Sequence, residues 1–241
     1  MIGSLFLSVA LTVSSLAMGA LGHGYVTEVA DPYMSPRPQR IIRDIPGNGP
    51  VENLSFIDVQ CNGEGGSATK LSPVLAVIAA GSQMKLTWTP DWPDTQFLTN
   101  GALQGPVITY MARAPSDITK WNPGSSAVWF KVHEEGKDST GKWGAWEKLF
   151  VQNKGVYTFT IPKNLRPGQY IIRHEIYLGV QIYPSCIQVE VTGSGNAFPT
   201  SFVSFPGAYT GSTPGMVYDI YSTSPSHPYP IPGPAVWAGG N

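Results

Sequence analysis

The sequence predicts an all-β fold, an antiparallel β-sandwich with long loops, and three observations carry that expectation. Short apolar runs rich in β-branched and aromatic residues recur along the chain, bounded by Gly, Pro, Asn or Ser. The 27 Gly and 22 Pro among 241 residues supply turns and interrupt helices. No stretch shows a convincing amphipathic helical spacing. With 42% hydrophobic and 13% charged residues, the chain has too much apolar surface for a disordered polymer. Its formal net charge of −1 gives no field that would draw in nucleic acid or an anionic membrane. An uncharged polymer is the expected partner, with 7 Trp and 11 Tyr available to contact it or to fill the core.

The elements follow in order. Residues 5–16 are apolar and lead into Ala17-Met18-Gly19-Ala20-Leu21-Gly22, with small residues Ala20 and Gly22 at the −3 and −1 positions of a signal-peptidase site. Residues 1–22 therefore read as a secretory signal, and cleavage leaves 23–241 as one domain with His23 at its terminus. An opening strand is expected at 25–29, then a Pro-rich loop to about residue 49. Further strands are expected at 74–78, 84–89, 107–111, 128–132, 155–161, 169–176 and 187–192. Beyond Ser194 the chain becomes a Pro/Gly/Tyr-rich tail, whose aromatics predict an ordered strap against the sandwich. Cys61 and Cys186 are the chain's two cysteines, and in an oxidising compartment they are expected to pair. Asn53-Leu54-Ser55 is a sequon, making Asn53 a candidate N-glycan site on a surface loop.

A histidine at a processed terminus can chelate one metal ion through its α-amine and ring nitrogen, a donor set that suits copper. The remaining histidines read as structural: His174 half-buried and hydrogen-bonded, His133 at a strand end on the surface, His227 in the tail. Neighbouring carboxylates Glu134 and Glu135 point to opposite faces of a strand and make no facing pair for hydrolysis. They and the pair Asp91 and Asp94 read as solvated, and Glu175 as a hydrogen-bonded core partner.

His23-Gly24-Tyr25-Val26, Trp92-Pro93-Asp94, Gly105-Pro106-Val107-Ile108-Thr109-Tyr110, Arg173-His174-Glu175-Ile176, Gln181-Ile182-Tyr183-Pro184-Ser185-Cys186, Phe205-Pro206-Gly207-Ala208-Tyr209 and Ile231-Pro232-Gly233-Pro234-Ala235-Val236-Trp237 occur in this order. Together they closely resemble the fungal lytic polysaccharide monooxygenases of auxiliary activity family nine, once glycoside hydrolase family sixty-one. The resemblance implies an immunoglobulin- or fibronectin-III-like sandwich, secreted and monomeric, with a flat face that lies on cellulose or a related β-glucan. It also implies one copper ion, an external electron donor, O2 or H2O2 as oxidant, and oxidative cleavage at C1 or C4 of the sugar. Carried over by motif, His23 and Tyr183 are copper ligands, Gln181 and Tyr183 the catalytic pair, and Cys61 with Cys186 the main disulfide.

Two departures fall in that site. The family's second copper-binding His stands two residues before Gly105, where this chain has Leu103, after an apparent insertion at 95–102. An Ala-Leu-His segment that follows Arg-His-Glu-Ile in the family is missing, so Ile176 reaches Gln181 through a short link. A redox-inactive relative that binds polysaccharide or cell wall is the alternative these departures raise.

Overall fold

The computed structural model describes residues 24–30, 37–38, 41–47, 49–63, 66, 69–89, 104–178, 181–218, 224 and 226–240. Its strands are β1 (Tyr25–Ala30), β2 (Arg37–Pro38), β3 (Ala76–Ala79), β4 (Gln83–Thr89), β5 (Val107–Arg113), β6 (Trp129–Glu135), β7 (Val156–Thr160), β8 (Gly168–Leu178) and β9 (Gln181–Thr192). They form a four-stranded sheet in the order β2-β1-β4-β7 and a five-stranded sheet in the order β3-β9-β8-β5-β6. The expected sandwich is present. Among the described residues every strand-to-strand pairing is antiparallel except that of β3 with β9, which is parallel.

Strand patterning follows from what covers each face. In β7, Tyr157 and Phe159 point into the core while Thr158 and Thr160 face solvent, the alternation of a half-buried strand. In β5, all of Val107 to Ala112 are buried, because the five-stranded sheet is covered on both sides. One apolar cluster lies between the sheets, with Val26, Leu86, Trp88, Met111, Ile172 and Ile187. A second lies on the outer face, where Ile108, Tyr110, Trp129 and Ile171 meet Val59, Phe205, Tyr209 and Met216. The tail is therefore a strap, as its aromatics predict.

Close approach fixes where the strap crosses β5 and β6. The Lys131 ammonium is buried and donates to the Pro232 carbonyl at 2.8 Å and to Glu134 at 2.6 Å. Gly233 has a left-handed φ of 91°, and a Cβ there would collide with the Tyr110 hydroxyl. Only glycine lets the backbone pass.

A buried ion pair ties three segments together beneath that strap. Arg173 and Glu175, both on β8 and both fully buried, meet at 2.7 Å. Arg173 also donates to the Val59 carbonyl at 2.8 Å and stacks over the Phe205 ring at 4.0 Å. Tyr209 donates to Glu175 at 2.5 Å. Glu175 is thus the core partner that sequence reasoning expects.

Two features depart from expectation. Residues Gly144–Gln152 form a π-helix, although no helix is expected; it is short, opens on a glycine and has no side-chain cap at Trp143, so it lacks the usual start signal. Glu134 and Glu135 are not simply solvated: Glu134 pairs with Lys131, while Glu135 pairs with Lys148 and accepts from Tyr157 at 2.9 Å.

Removing one partner of the buried pair leaves the other charge uncompensated. Arg173→Ala is expected to lower unfolding stability by about 3–5 kcal/mol, more than Tyr209→Phe at about 1–3 kcal/mol. Urea unfolding of both variants checks the order, and equal losses would show that the charge pair is not the dominant tie.

Candidate functional site

The candidate site stands at the start of β9. Gln181 and Tyr183 are two residues apart on one strand and so share a face. The Tyr183 ring is buried in the core between the sheets, and its hydroxyl donates to Gln181 Oε1 at 3.0 Å. Gln181 Nε2 in turn donates to Glu52 Oε1 at 2.9 Å. Burial, and then the negative charge of Glu52, push the Tyr183 phenol well above its ordinary value, so it is a neutral phenol at physiological pH.

Backbone pairing explains why Glu52 is there. Val51 and Ile182 exchange two backbone hydrogen bonds, of 2.8 and 3.1 Å, as an antiparallel bridge. The next residue on one strand therefore lies opposite the preceding one on the other, which sets Glu52 against Gln181. The Cys61–Cys186 disulfide fastens the same segment to β9 further along. Sequence reasoning did not identify Glu52, because only a non-local pairing brings it to the site.

The other face of the site is approached by β1. The Val26 amide donates to Ser185 Oγ at 3.3 Å, two residues from Tyr183. His23, Leu103, residues 95–102, Trp92, Asp91 and Asp94, and the 1–22 segment lie outside the described residues. His23 stands three positions before Val26 in the sequence.

The three remaining histidines are engaged elsewhere. His174 is fully buried rather than half-buried, with Nδ1 2.9 Å from Thr109 Oγ1 and its ring among Trp88, Tyr157 and Phe159. Burial, then His133 and Arg173, push it down to about 3. His133 is half-buried. Tyr157 spends its hydrogen on Glu135, so His133 Nε2 donates to the Tyr157 oxygen at 2.8 Å, and burial lowers the imidazole from its ordinary value. His227 is exposed in the strap, and its carbonyl accepts from Lys137.

The copper set implied by the resemblance can be tested against these positions. Tyr183 supplies an oxygen and Gln181 its hydrogen-bond partner, while His23 offers an amine and a ring nitrogen. Leu103 has no donor atom, His174 is buried against Thr109, and His133 is engaged with Tyr157. Among the described residues no group of three or more His, Cys, Asp or Glu side chains converges as a metal site. Of the set that the resemblance implies, the described residues include Tyr183 and Gln181, while His23 and Leu103 lie outside them.

Asn53 is exposed beside the site, and its Oδ1 accepts from the Ser55 amide at 3.0 Å and hydroxyl at 2.6 Å. It lines an open groove of about 900 Å³ with Glu52, Leu54, Pro206 and Thr210.

His174 makes stability depend on pH. Its folded-state value lies below the ordinary imidazole value, so the unfolded chain binds the extra proton, and stability is whole above about pH 6.5 and lost as pH falls toward 3. Wild type is expected to lose up to about 1.4 kcal/mol per pH unit more than His174→Phe below pH 6. Urea unfolding at a series of pH values checks this; parallel profiles would contradict it.

Residues 12–229 match the model of Auxiliary Activity family 9, formerly GH61. The chain is 47% identical to AA9 family lytic polysaccharide monooxygenase B of Gloeophyllum trabeum, covering 94% of this chain and 96% of that one. It is 46% identical to AA9 family lytic polysaccharide monooxygenase B of Malbranchea cinnamomea, covering 92% and 94%. Among solved structures, CvAA9A superposes with a TM-score of 0.78 at 31% identity, over 91% of this chain and all of that one. A cellulose-active polysaccharide monooxygenase from M. thermophila superposes with a TM-score of 0.70 at 30% identity, over 90% and 100%.

Proposed function

The chain belongs to Auxiliary Activity family 9, and from that membership we propose that it is a secreted lytic polysaccharide monooxygenase acting on cellulose or a related neutral β-glucan. The observation that carries the reading to particular residues is the Gln181–Tyr183 hydrogen bond at the start of β9, beside the strand that follows His23. On this reading residues 1–22 are removed, residues 23–241 act as one domain, and His23 becomes the terminal chelate. His23 and Tyr183 would hold copper, one ion per chain, which would supply the redox chemistry for oxidising C1 or C4 of a sugar with an external electron donor and O2 or H2O2. The protein's own part is positional: Tyr183 sets an oxygen at the site's edge, and Gln181 fixes the direction of its hydroxyl. The near-zero net charge suits an uncharged polymer.

A second reading is favoured by one residue. Leu103 stands where the family places its second copper-binding His, and a chain with one nitrogen fewer could keep the polysaccharide surface without the redox chemistry. Copper titration of correctly processed protein separates the two. Tight one-to-one binding with oxidised oligosaccharides from cellulose supports the monooxygenase; cellulose binding without either supports the redox-silent relative. Leu103→His is expected to raise copper affinity by more than about 100-fold, because a direct ligand outweighs the 10–100-fold of outer-shell support. Unchanged affinity would show that Leu103 does not occupy the second ligand's place.

Asn53 is proposed to carry an N-linked glycan, supported by its sequon and its exposure. Intact-mass measurement of secreted wild type and Asn53→Gln is expected to differ by a glycan; identical sugar content would contradict it.

A further inference from the structure

The Gln181 amide has two ends with opposite hydrogen-bonding character, and each faces a different partner. Its nitrogen faces Glu52 at 2.9 Å and its oxygen faces the Tyr183 hydroxyl at 3.0 Å. A carboxylate only accepts, so the amide end turned toward Glu52 has to be the NH2 group. The opposite end is then the carbonyl, which only accepts, so Tyr183 has to donate. We propose that Glu52 is the positioning residue of this site: it sets the direction of the Gln181–Tyr183 bond, so that Tyr183 turns its oxygen, and not its hydrogen, toward a ligand. This inference rests on reading Tyr183 as an oxygen donor to the site.

Glu52 is exposed, and an isolated surface hydrogen bond would be a weak device. Here the backbone supports it. Val51 and Ile182 are both buried and joined by two backbone hydrogen bonds, which places Glu52 opposite Gln181 whatever its side-chain rotamer. The segment is tied to β9 again by the Ile42–Ile187 bridge and the Cys61–Cys186 disulfide. Without Glu52, the amide could rotate by a half turn and present NH2 to Tyr183, which would make the phenol an acceptor and spend one of its lone pairs.

The family-like Ala-Leu-His segment that would stand between Ile176 and Gln181 is missing, and the β8–β9 ladder continues without it to the Leu178–Gln181 pair. Glu52 comes from a different part of the chain and supplies an acceptor at the amide of Gln181.

Metal-free protein provides a direct test. Raman spectra of the tyrosine ring doublet, each taken as a difference against the same background carrying Tyr183→Phe, report whether Tyr183 donates or accepts. Wild type is expected to show a donor. Glu52→Lys, whose ammonium only donates, is expected to reverse it to an acceptor, and Glu52→Ala to give a mixture; both are exposed changes that leave the thermal midpoint nearly unmoved. A donor signal unchanged in both variants would overturn the proposal. Copper titration of Glu52→Ala is expected to show a loss of about 10-fold. If wild type binds no copper while the Raman signal reverses, the reading of Tyr183 as a ligand fails and the role of Glu52 stands. If copper binds tightly and the Raman signal never changes, the role of Glu52 fails and the reading stands.

Discussion

The buried Arg173–Glu175 pair is the interaction on which the site's architecture depends. Desolvating two charges is costly, and three further contacts offset part of that cost: Val59 accepts from Arg173, Phe205 lies under the guanidinium, and Tyr209 donates to Glu175. Those partners come from β8, the segment leading to Cys61, and the strap. A hydrophobic replacement could be as stable, but it would not demand that these three segments meet in one register. We regard register, more than stability, as what this pair supplies.

Register matters because the site is assembled from segments far apart in sequence. With Val59 held on Arg173 and Cys61 bonded to Cys186, the preceding chain lies along β9 and Val51 pairs with Ile182. Glu52 then meets Gln181. On the inner face of the same strand, Tyr183 enters the core and Ser185 receives the Val26 amide, which brings β1 alongside. One strand thus presents its inner face to the N-terminal segment and its edge to the segment that carries Glu52.

Much of this was legible in the sequence, for physical reasons that differ by element. The strand at 155–161 was visible because solvent on one side enforces alternation, and the strap because aromatics require burial. The start of β9 was not recognised as strand, since Pro184 reads as a break; it falls where the outer side of β9 has only the isolated pairings at Ile182 and Ile187. The helix at Gly144–Gln152 lacks a cap and was missed. Gln181 and Tyr183 were found through a local motif, whereas Glu52 has no motif and depends on a pairing that no linear pattern displays. His133 reads as a surface residue in the sequence, and its partial burial comes from Tyr157 and Phe159 on the other sheet.

We propose that His23, once terminal, and Tyr183 belong to one ligand site, with Gln181 beside Tyr183. Electron paramagnetic resonance of one equivalent of Cu(II) on processed protein tests it most directly, compared with protein that keeps one extra residue before His23. The account predicts a spectrum with coupling to the two nitrogens of His23 that is lost when the extra residue blocks the amine. Identical spectra from the two proteins would contradict it.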